Sequence, residues 1–341
     1  MDMKLFYFIL FTNIISIYSF NIPLYRYWNC VGIEKNIDNN KPYEFKVGDI
    51  PLIAWKTKNN SYITTLNFCK HFGSKLDQGW IDNDCLVCPY HGIKHNNEDS
   101  CGEIITYDNK LWWAYNPIHK SPPKIKYNNI EYSSDNTNYS SDYTEIIMNE
   151  EMPSCMYNSM DINHAQFIHR GIFGFGSDIP IKNYKHYKYN NTKIGTSFDH
   201  YFKKNVKIIN KKMSLKDNSF TSNYHEFIYP STTWSVVKHS HDKELIIHVD
   251  MVPIEEFKTK WFITIRSNYM KDDISKNVLK YVTHQILGQD KIQFDRQSKN
   301  ILLRNKFLLK KKLNYEDHIS DMENIFSNYS YPKLDNFLNN F

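Results

Sequence analysis

The sequence predicts an α+β protein of two successive domains, an all-β unit followed by an antiparallel sheet with helices packed on it. Three observations carry this. Over residues 24–116, short β-branched and aromatic runs with a period close to two are cut by Asn, Asp and Gly, the pattern of short antiparallel strands. Over residues 133–142 the run SSDNTNYSSD is too polar to pack and reads as a linker or exposed loop. Beyond it, strand-like runs lead into one long stretch from Asp272 to about Leu309, rich in Lys, Ile, Leu and Gln, that reads as helix. A length of 341 residues suits two domains at roughly 150 residues each.

The elements follow in order. In the first domain, strands are expected at 43–47, 51–56, 62–66, 85–88, 103–107 and 111–115. In the second, helical character over 158–169 precedes strands at 185–189, 196–202, 206–209, 220–228, 233–239, 244–252 and 259–268. The organisation is therefore a signal-like or targeting segment (1–22), a first domain including its linker (24–145), a second domain (146–325) and a tail (326–341). The aromatics Phe198, Tyr201, Tyr224, Phe227, Trp234 and Phe262 suit a pocket wall, but at strand spacing each reads first as core.

Composition narrows the function. Hydrophobic residues make up 41% and aromatics 16%, which excludes wholesale disorder. A formal net charge of +5 is spread along the chain, with one tight cluster at Lys310, Lys311 and Lys312, and this does not describe a nucleic-acid-binding stripe. The apolar run from Leu5 to Phe20 is shorter than the roughly 20 residues a bilayer span needs and resembles the apolar core of a signal peptide. Membrane association is expected, if anywhere, through this segment only.

Six cysteines stand at 30, 69, 85, 88, 101 and 155. Two of them pair with histidines: Cys69-Lys-His71 and Cys88-Pro-Tyr-His91. Two thiolates on one iron and two neutral imidazoles on the other describe a [2Fe–2S] centre of raised reduction potential. Gly73 and Gly92 follow the two pairs, where backbone must approach sulfur closely, and Pro89 stiffens the second loop. A tetrahedral zinc site is the competing reading, helped by the Cys85-x-x-Cys88 spacing. Cys30, Cys85 and Cys155 read as buried strand residues, and Cys101 has no assigned role.

A second constellation opens the second domain: Asn158-x-x-Asp161-x-x-His164-x-x-x-x-His169. Two histidines and a carboxylate with open positions is the set used by non-haem Fe(II) oxygenases. On an ideal helix of 3.6 residues per turn, His164 and His169 lie about 140° apart. A π-bulge or break between them is therefore expected.

The run CKHFGSKLDQGWIDNDCLVCPYHG, residues 69–92, resembles the Rieske motif of ring-hydroxylating and related oxygenases, and the motif from Asn158 to His169 is similar to the catalytic-domain signature of the same family. The likeness extends from Tyr25 to about Gln297 and is closest to the pheophorbide a oxygenase and vanillate demethylase group. It implies an N-terminal all-β Rieske domain and a helix-grip-like catalytic domain. The [2Fe–2S] cluster would sit on Cys69, His71, Cys88 and His91. A mononuclear Fe(II) would sit on His164, His169 and a distant helical carboxylate, Asp290, with Asp295 as runner-up. Asp161 would bridge electrons between subunits of a homotrimer, with Asn158 near the iron. The implied activity is oxidation of an organic, aromatic or pigment-like substrate by O2: hydroxylation, dealkylation or ring opening, with electrons from a reductase or ferredoxin. A Rieske ferredoxin-like electron carrier and a ligand-binding protein without catalysis are the alternatives. The cysteine–histidine centre favours the cytoplasm or a plastid, where such clusters assemble.

Overall fold

The computed structural model describes residues 22–169, 172, 181–201, 220–240, 242–307, 313–327 and 329–341. The signal-like segment, the strand expected at 206–209 and the Lys310–312 cluster lie outside the described residues. Among these, no helix is long and apolar enough to cross a membrane.

The first domain is built from β1 (Asn29–Ile33), β2 (Tyr43–Val47), β3 (Ile50–Lys56), β4 (Tyr62–Leu66), β5 (Trp80–Asp82), β6 (Cys85–Val87), β7 (Lys94–His95), β8 (Glu103–Tyr107) and β9 (Lys110–Ala114). They form three antiparallel sheets, ordered β1-β9-β8, β2-β3-β4 and β5-β6-β7. The expected strands are present. β1, β5 and β7 were not anticipated, because β1 is buried at every position and so does not alternate, and the other two are very short.

A ribbon of β10 (Lys126–Tyr127) and β11 (Ile130–Glu131) leads to β12 (Ser140–Met148). Here the reading of 133–142 needs correction. Residues from Ser140 onward pair without interruption with a strand of the second domain, so a boundary at 145 falls inside a strand. The polar residues suit an edge position, where half of the side chains face solvent.

The second domain continues with α1 (Met152–Met160), α2 (Ala165–Ile168), β13 (Ile181–Asn190), β14 (Lys193–Tyr201), β15 (Phe220–Ile228), β16 (Thr232–Ser240), β17 (Lys243–Glu255), β18 (Lys258–Ser267), α3 (Asp273–Phe307), α4 (Asp317–Phe326) and α5 (Leu334–Leu338). Its seven-stranded sheet has the order β12-β18-β17-β16-β15-β14-β13. One face turns toward the helices: Thr233 bonds Ser159 of α1 at 2.6 Å, and the Phe227 ring packs on Phe326 of α4 at 5.5 Å. Alternation sends Tyr224, Trp234 and Val236 to the opposite face, where they form a separate cluster with Tyr132. Phe227 and Phe262 are fully buried core residues. Cys155 is buried as expected, but on helix α1 and not on a strand.

The two domains share one hydrophobic cluster that runs from Cys30, Phe45 and Trp112 to Met251, Trp261 and Phe262. Within it lies a charged group with no solvent access. Lys110 of β9 donates to Asp250 of β17 at 2.6 Å, His248 bonds the other oxygen of Asp250 at 2.9 Å, and Arg266 of β18 pairs with Asp108. The residues assigned to a tail also return to the first domain. Phe337 is fully buried against Tyr25 and Tyr115, at ring distances of 5.1 and 5.0 Å. Pro332 O accepts from the backbone N–H of Asp49, and the neighbouring Gly48 (φ +61°) lies so close to Pro332 that a Cβ would fall 2.3 Å from that oxygen.

Candidate metal centres

The loops at Cys69 and Cys88 are copies of one hydrogen-bonding pattern. Each cysteine N–H donates back across its loop, to Ser74 O at 2.7 Å and to Ile93 O at 2.8 Å. Each cysteine carbonyl accepts from a glycine N–H, Gly73 at 2.8 Å and Gly92 at 3.0 Å. Both glycines need positive φ, +70° and +71°, the left-handed region that glycine occupies without cost. The turn aims backbone N–H groups at sulfur: those of His71 and Phe72 at Cys69, those of Tyr90 and His91 at Cys88. Burial opposes the Cys88 thiolate, yet the Tyr90 and His91 N–H groups, together with Cys69 and Ser74, outweigh it and hold this thiol below its ordinary value. Burial holds its neighbour Cys69 above.

The four side chains separate into two layers. The thiols meet each other in the interior, while the His71 and His91 rings, 5.0 Å apart, stand exposed. A single zinc would draw all four ligand atoms around one point. Among the described residues, only His164, His169 and Asp290 converge that tightly, so the layered arrangement fits a two-iron centre instead. Cys85 lies on β6, half-buried. Cys101 is buried and structural: its N–H donates to Thr64 O at 2.7 Å, and its carbonyl accepts from the Trp113 indole at 2.8 Å.

The second set is assembled from α1, α2 and α3. Helix α1 ends at Met160, Asp161 takes an extended conformation, and the single turn of α2 starts after His164. His164 and His169 cap this turn at either end, with ring centroids 5.1 Å apart. The expected irregularity is real, but it takes the form of a helix break before His164 and a one-turn helix between the histidines, not a π-bulge. Asp290, on α3, completes the group. Its Oδ1 lies 3.8 Å from His164 Nε2 and 3.6 Å from His169 Nε2, and the three ligand atoms are all within 4.8 Å of one another. Asp295 is elsewhere, accepting from Asn149 at 2.7 Å.

The supporting contacts fix both imidazoles in one tautomer. His164 Nδ1–H donates to the backbone carbonyl of Asp161 at 2.8 Å, and His169 Nδ1–H donates to Gln289 Oε1 at 3.1 Å, so both Nε2 lone pairs face Asp290. The Asn158 side chain lies near the Asp290 carboxyl and lowers its pKa against the effect of burial. The Asp161 carboxylate lies behind His164, 3.8 Å from Nδ1, and accepts from the Asn163 N–H at 2.8 Å. Gln289 had no assigned role, although its place beside Asp290 could have suggested one. Burial pushes Asp290 up to about 7 and both histidines down to about 4, and Asp290 Oδ1 is buried without a hydrogen-bond partner. Three potential ligand atoms converge in a largely buried site, and a bound cation would give the unpartnered Asp290 Oδ1 a partner that both imidazoles share.

The comparisons agree with this geometry. Residues 27–111 match the family model described as Rieske [2Fe-2S] domain, and residues 154–316 match that described as vanillate O-demethylase oxygenase C-terminal domain. A 3-ketosteroid-9-alpha-monooxygenase oxygenase component of Rhodococcus rhodochrous is 30% identical over 82 residues, 24% of this chain and 21% of that protein. Aminopyrrolnitrin oxygenase PrnD of Pseudomonas fluorescens is 27% identical over 74 residues, 22% of this chain and 20% of that protein. The chain thus matches about a fifth of the length of these curated relatives. Among solved structures, dicamba monooxygenase bound to 3,6-dichlorosalicylic acid superposes with a TM-score of 0.76 at 14% identity, covering 90% of this chain and 98% of that one. NdmA of Pseudomonas putida CBB5 with caffeine gives 0.66 at 14% identity over 89% of each. With one family model on each domain and the same two-domain fold throughout, the chain belongs to the Rieske non-haem iron oxygenase family.

Proposed function

We propose that this chain is an oxidoreductase that uses O2 to oxidise an organic, ring-containing substrate by hydroxylation, dealkylation or ring opening. The observation that carries it is the buried, unpartnered Asp290 Oδ1 facing two imidazole Nε2 atoms, a set that fits a mononuclear iron. When bound, the [2Fe–2S] group on Cys69, His71, Cys88 and His91 supplies single electrons, and the iron on His164, His169 and Asp290 activates dioxygen. The protein's own part is positional. N–H groups hold the two thiolates, Asp161 O and Gln289 lock the iron-facing tautomers, Asn158 orients Asp290, and burial excludes water from the site. The substrates named for the ketosteroid and aminopyrrolnitrin relatives are ring compounds, and only that class is extended to this chain.

The partners in this reading are a reductase or ferredoxin and two further copies of the chain in a homotrimer. The support for the trimer is the exposed cap of the first domain, where Phe72 is 75% and Tyr90 66% accessible beside His71 and His91, and the half-exposed Phe167 beside the second set. In this reading Asp161, behind His164, accepts from an exposed imidazole of a neighbouring copy. The cytoplasm or a plastid is the proposed compartment, consistent with six free cysteines.

The test is iron and acid-labile sulfide per chain on anaerobically purified protein, beside a His164→Ala/His169→Ala variant. About three irons and two sulfides, with one iron lost in the variant, is the expected result. About two irons, unchanged by the substitutions, would leave an electron carrier.

A further inference from the structure

The helix-facing side of the large sheet carries a polar pair that the metal sites do not use. β14 and β15 pair Thr196 with His225 and Phe198 with Asn223, and β16 continues the two rows with Ser235 and Val237. Cross-strand partners on one face have Cβ atoms about 5 Å apart, so Thr196 and His225 act on the same point. Both are unsatisfied: Thr196 Oγ1 and His225 Nδ1 are buried without a hydrogen-bond partner.

The neighbouring imidazoles are engaged. His318 bonds Tyr184 OH and Met160 O, His164 and His169 are held as described, and His186 bonds Asp321 through Nε2 at the α4 side of the sheet, its Nδ1 being unpartnered. His239 also has unpartnered nitrogens, but it lies past a register break at the end of β16, beside Tyr269 and Lys243. His225 instead lies in the field of His164, and burial together with the rings of His318, His164 and His200 keeps it neutral, near 3. Leaving two adjacent buried polar groups unpaired is costly unless a ligand satisfies them.

We propose that Thr196 and His225 are the polar anchor for the substrate, holding an uncharged hydroxyl or carbonyl oxygen of a ring compound whose apolar body lies along Phe198 and Val237. This rests on the oxygenase reading for the identity of the bound molecule as substrate. None of the six residues in the two rows carries a formal charge, so no cation among them balances a carboxylate. The Phe198 ring stands edge-on to His225 at 5.1 Å and offers an apolar surface beside the hydrogen-bonding point.

Three probes share one ring system: 2-naphthol, naphthalene and 2-naphthoate. Each is titrated anaerobically, near neutral pH, into the iron-replete protein, with binding read by calorimetry. The expected result is 2-naphthol bound about tenfold more tightly than either of the others, the worth of one good hydrogen bond in a dry site. His225→Leu should remove that preference, while His225→Asn, which keeps a donor and an acceptor, should restore part of it. Cluster absorbance and iron content are measured on each variant, so that a folding defect is seen directly. Equal binding of 2-naphthol and 2-naphthoate, no binding of 2-naphthol, or a preference that survives His225→Leu would overturn the proposal. Because the readout is binding, it can succeed or fail independently of the iron count that tests the oxygenase reading.

Discussion

Replacing Lys110 by Met removes one cation from a buried group that links the two domains. Lys110 has no solvent exposure, and its ammonium lies 2.6 Å from Asp250 Oδ2 and 3.3 Å from His248 Nδ1. Burial opposes the charge, but Asp250 and Asp108 outweigh burial and hold the Lys110 pKa above its ordinary value. The Asp250 carboxyl is held well below its own. Removing one partner of such a pair leaves an uncompensated buried charge, a loss of about 3–5 kcal/mol. That corresponds to a drop in Tm on the order of 5–10 °C.

The pH dependence has a definite sign. The groups facing His248 are Asp108 and Lys110 from the β8–β9 turn and β9, Asp250 on its own strand and Arg266 from β18, with Cys30 of β1 close to Lys110. His248 is held low first by burial; Asp250 pulls it up, while Lys110 and Arg266 push it down. Without Lys110 the attraction of Asp250 remains and the His248 pKa rises in the folded state. A raised folded-state pKa contributes stability at low pH that is lost as pH rises through it. The variant should therefore be most destabilised near pH 8 and recover part of the loss near pH 6. Thermal unfolding followed by circular dichroism and cluster absorbance at both pH values is the assay. A Tm within about 2 °C of the parent at both would refute the reasoning.

Other outcomes follow from single contacts. Gln289→Leu removes the acceptor that orients His169, so mononuclear iron affinity should fall about 10- to 100-fold in chelator competition with sulfide content unchanged. Gly92→Ala meets no atom within 4 Å, but at φ +71° it should cost about 1–2 kcal/mol, seen as earlier thermal bleaching of the cluster. Phe337→Ala empties a fully buried aromatic site between the C-terminal helix and the first domain and should cost about 3–5 kcal/mol in urea unfolding.

The sequence by itself determined what depends on short range. Cys69, His71, Cys88 and His91 were legible as two matched pairs because each pair lies on one tight turn, whose glycine, cysteine and histidine are fixed within a few residues. The strands of the second domain were legible because one buried face imposes alternation. His164 and His169 were legible as a pair, but their geometry was not. Helical periodicity predicts only that a regular helix fails, and whether it fails by a bulge or by a break depends on how α1 and α2 pack. Asp290 was separated from Asp295 only when α3 placed one beside the histidines and the other beside Asn149.

Only the tertiary structure decided the rest. The polar run before Ile146 became an edge strand because β18 offered it a partner, and strand pairing overrides a weak local preference. Lys110, Asp108, Asp250 and Arg266 look like ordinary surface charges in the sequence. They lie inside because opposite charges from distant strands meet there, and no local pattern records a contact between residues 110 and 250. The same holds for Thr196 and His225, whose unpaired atoms become informative only once register sets them side by side.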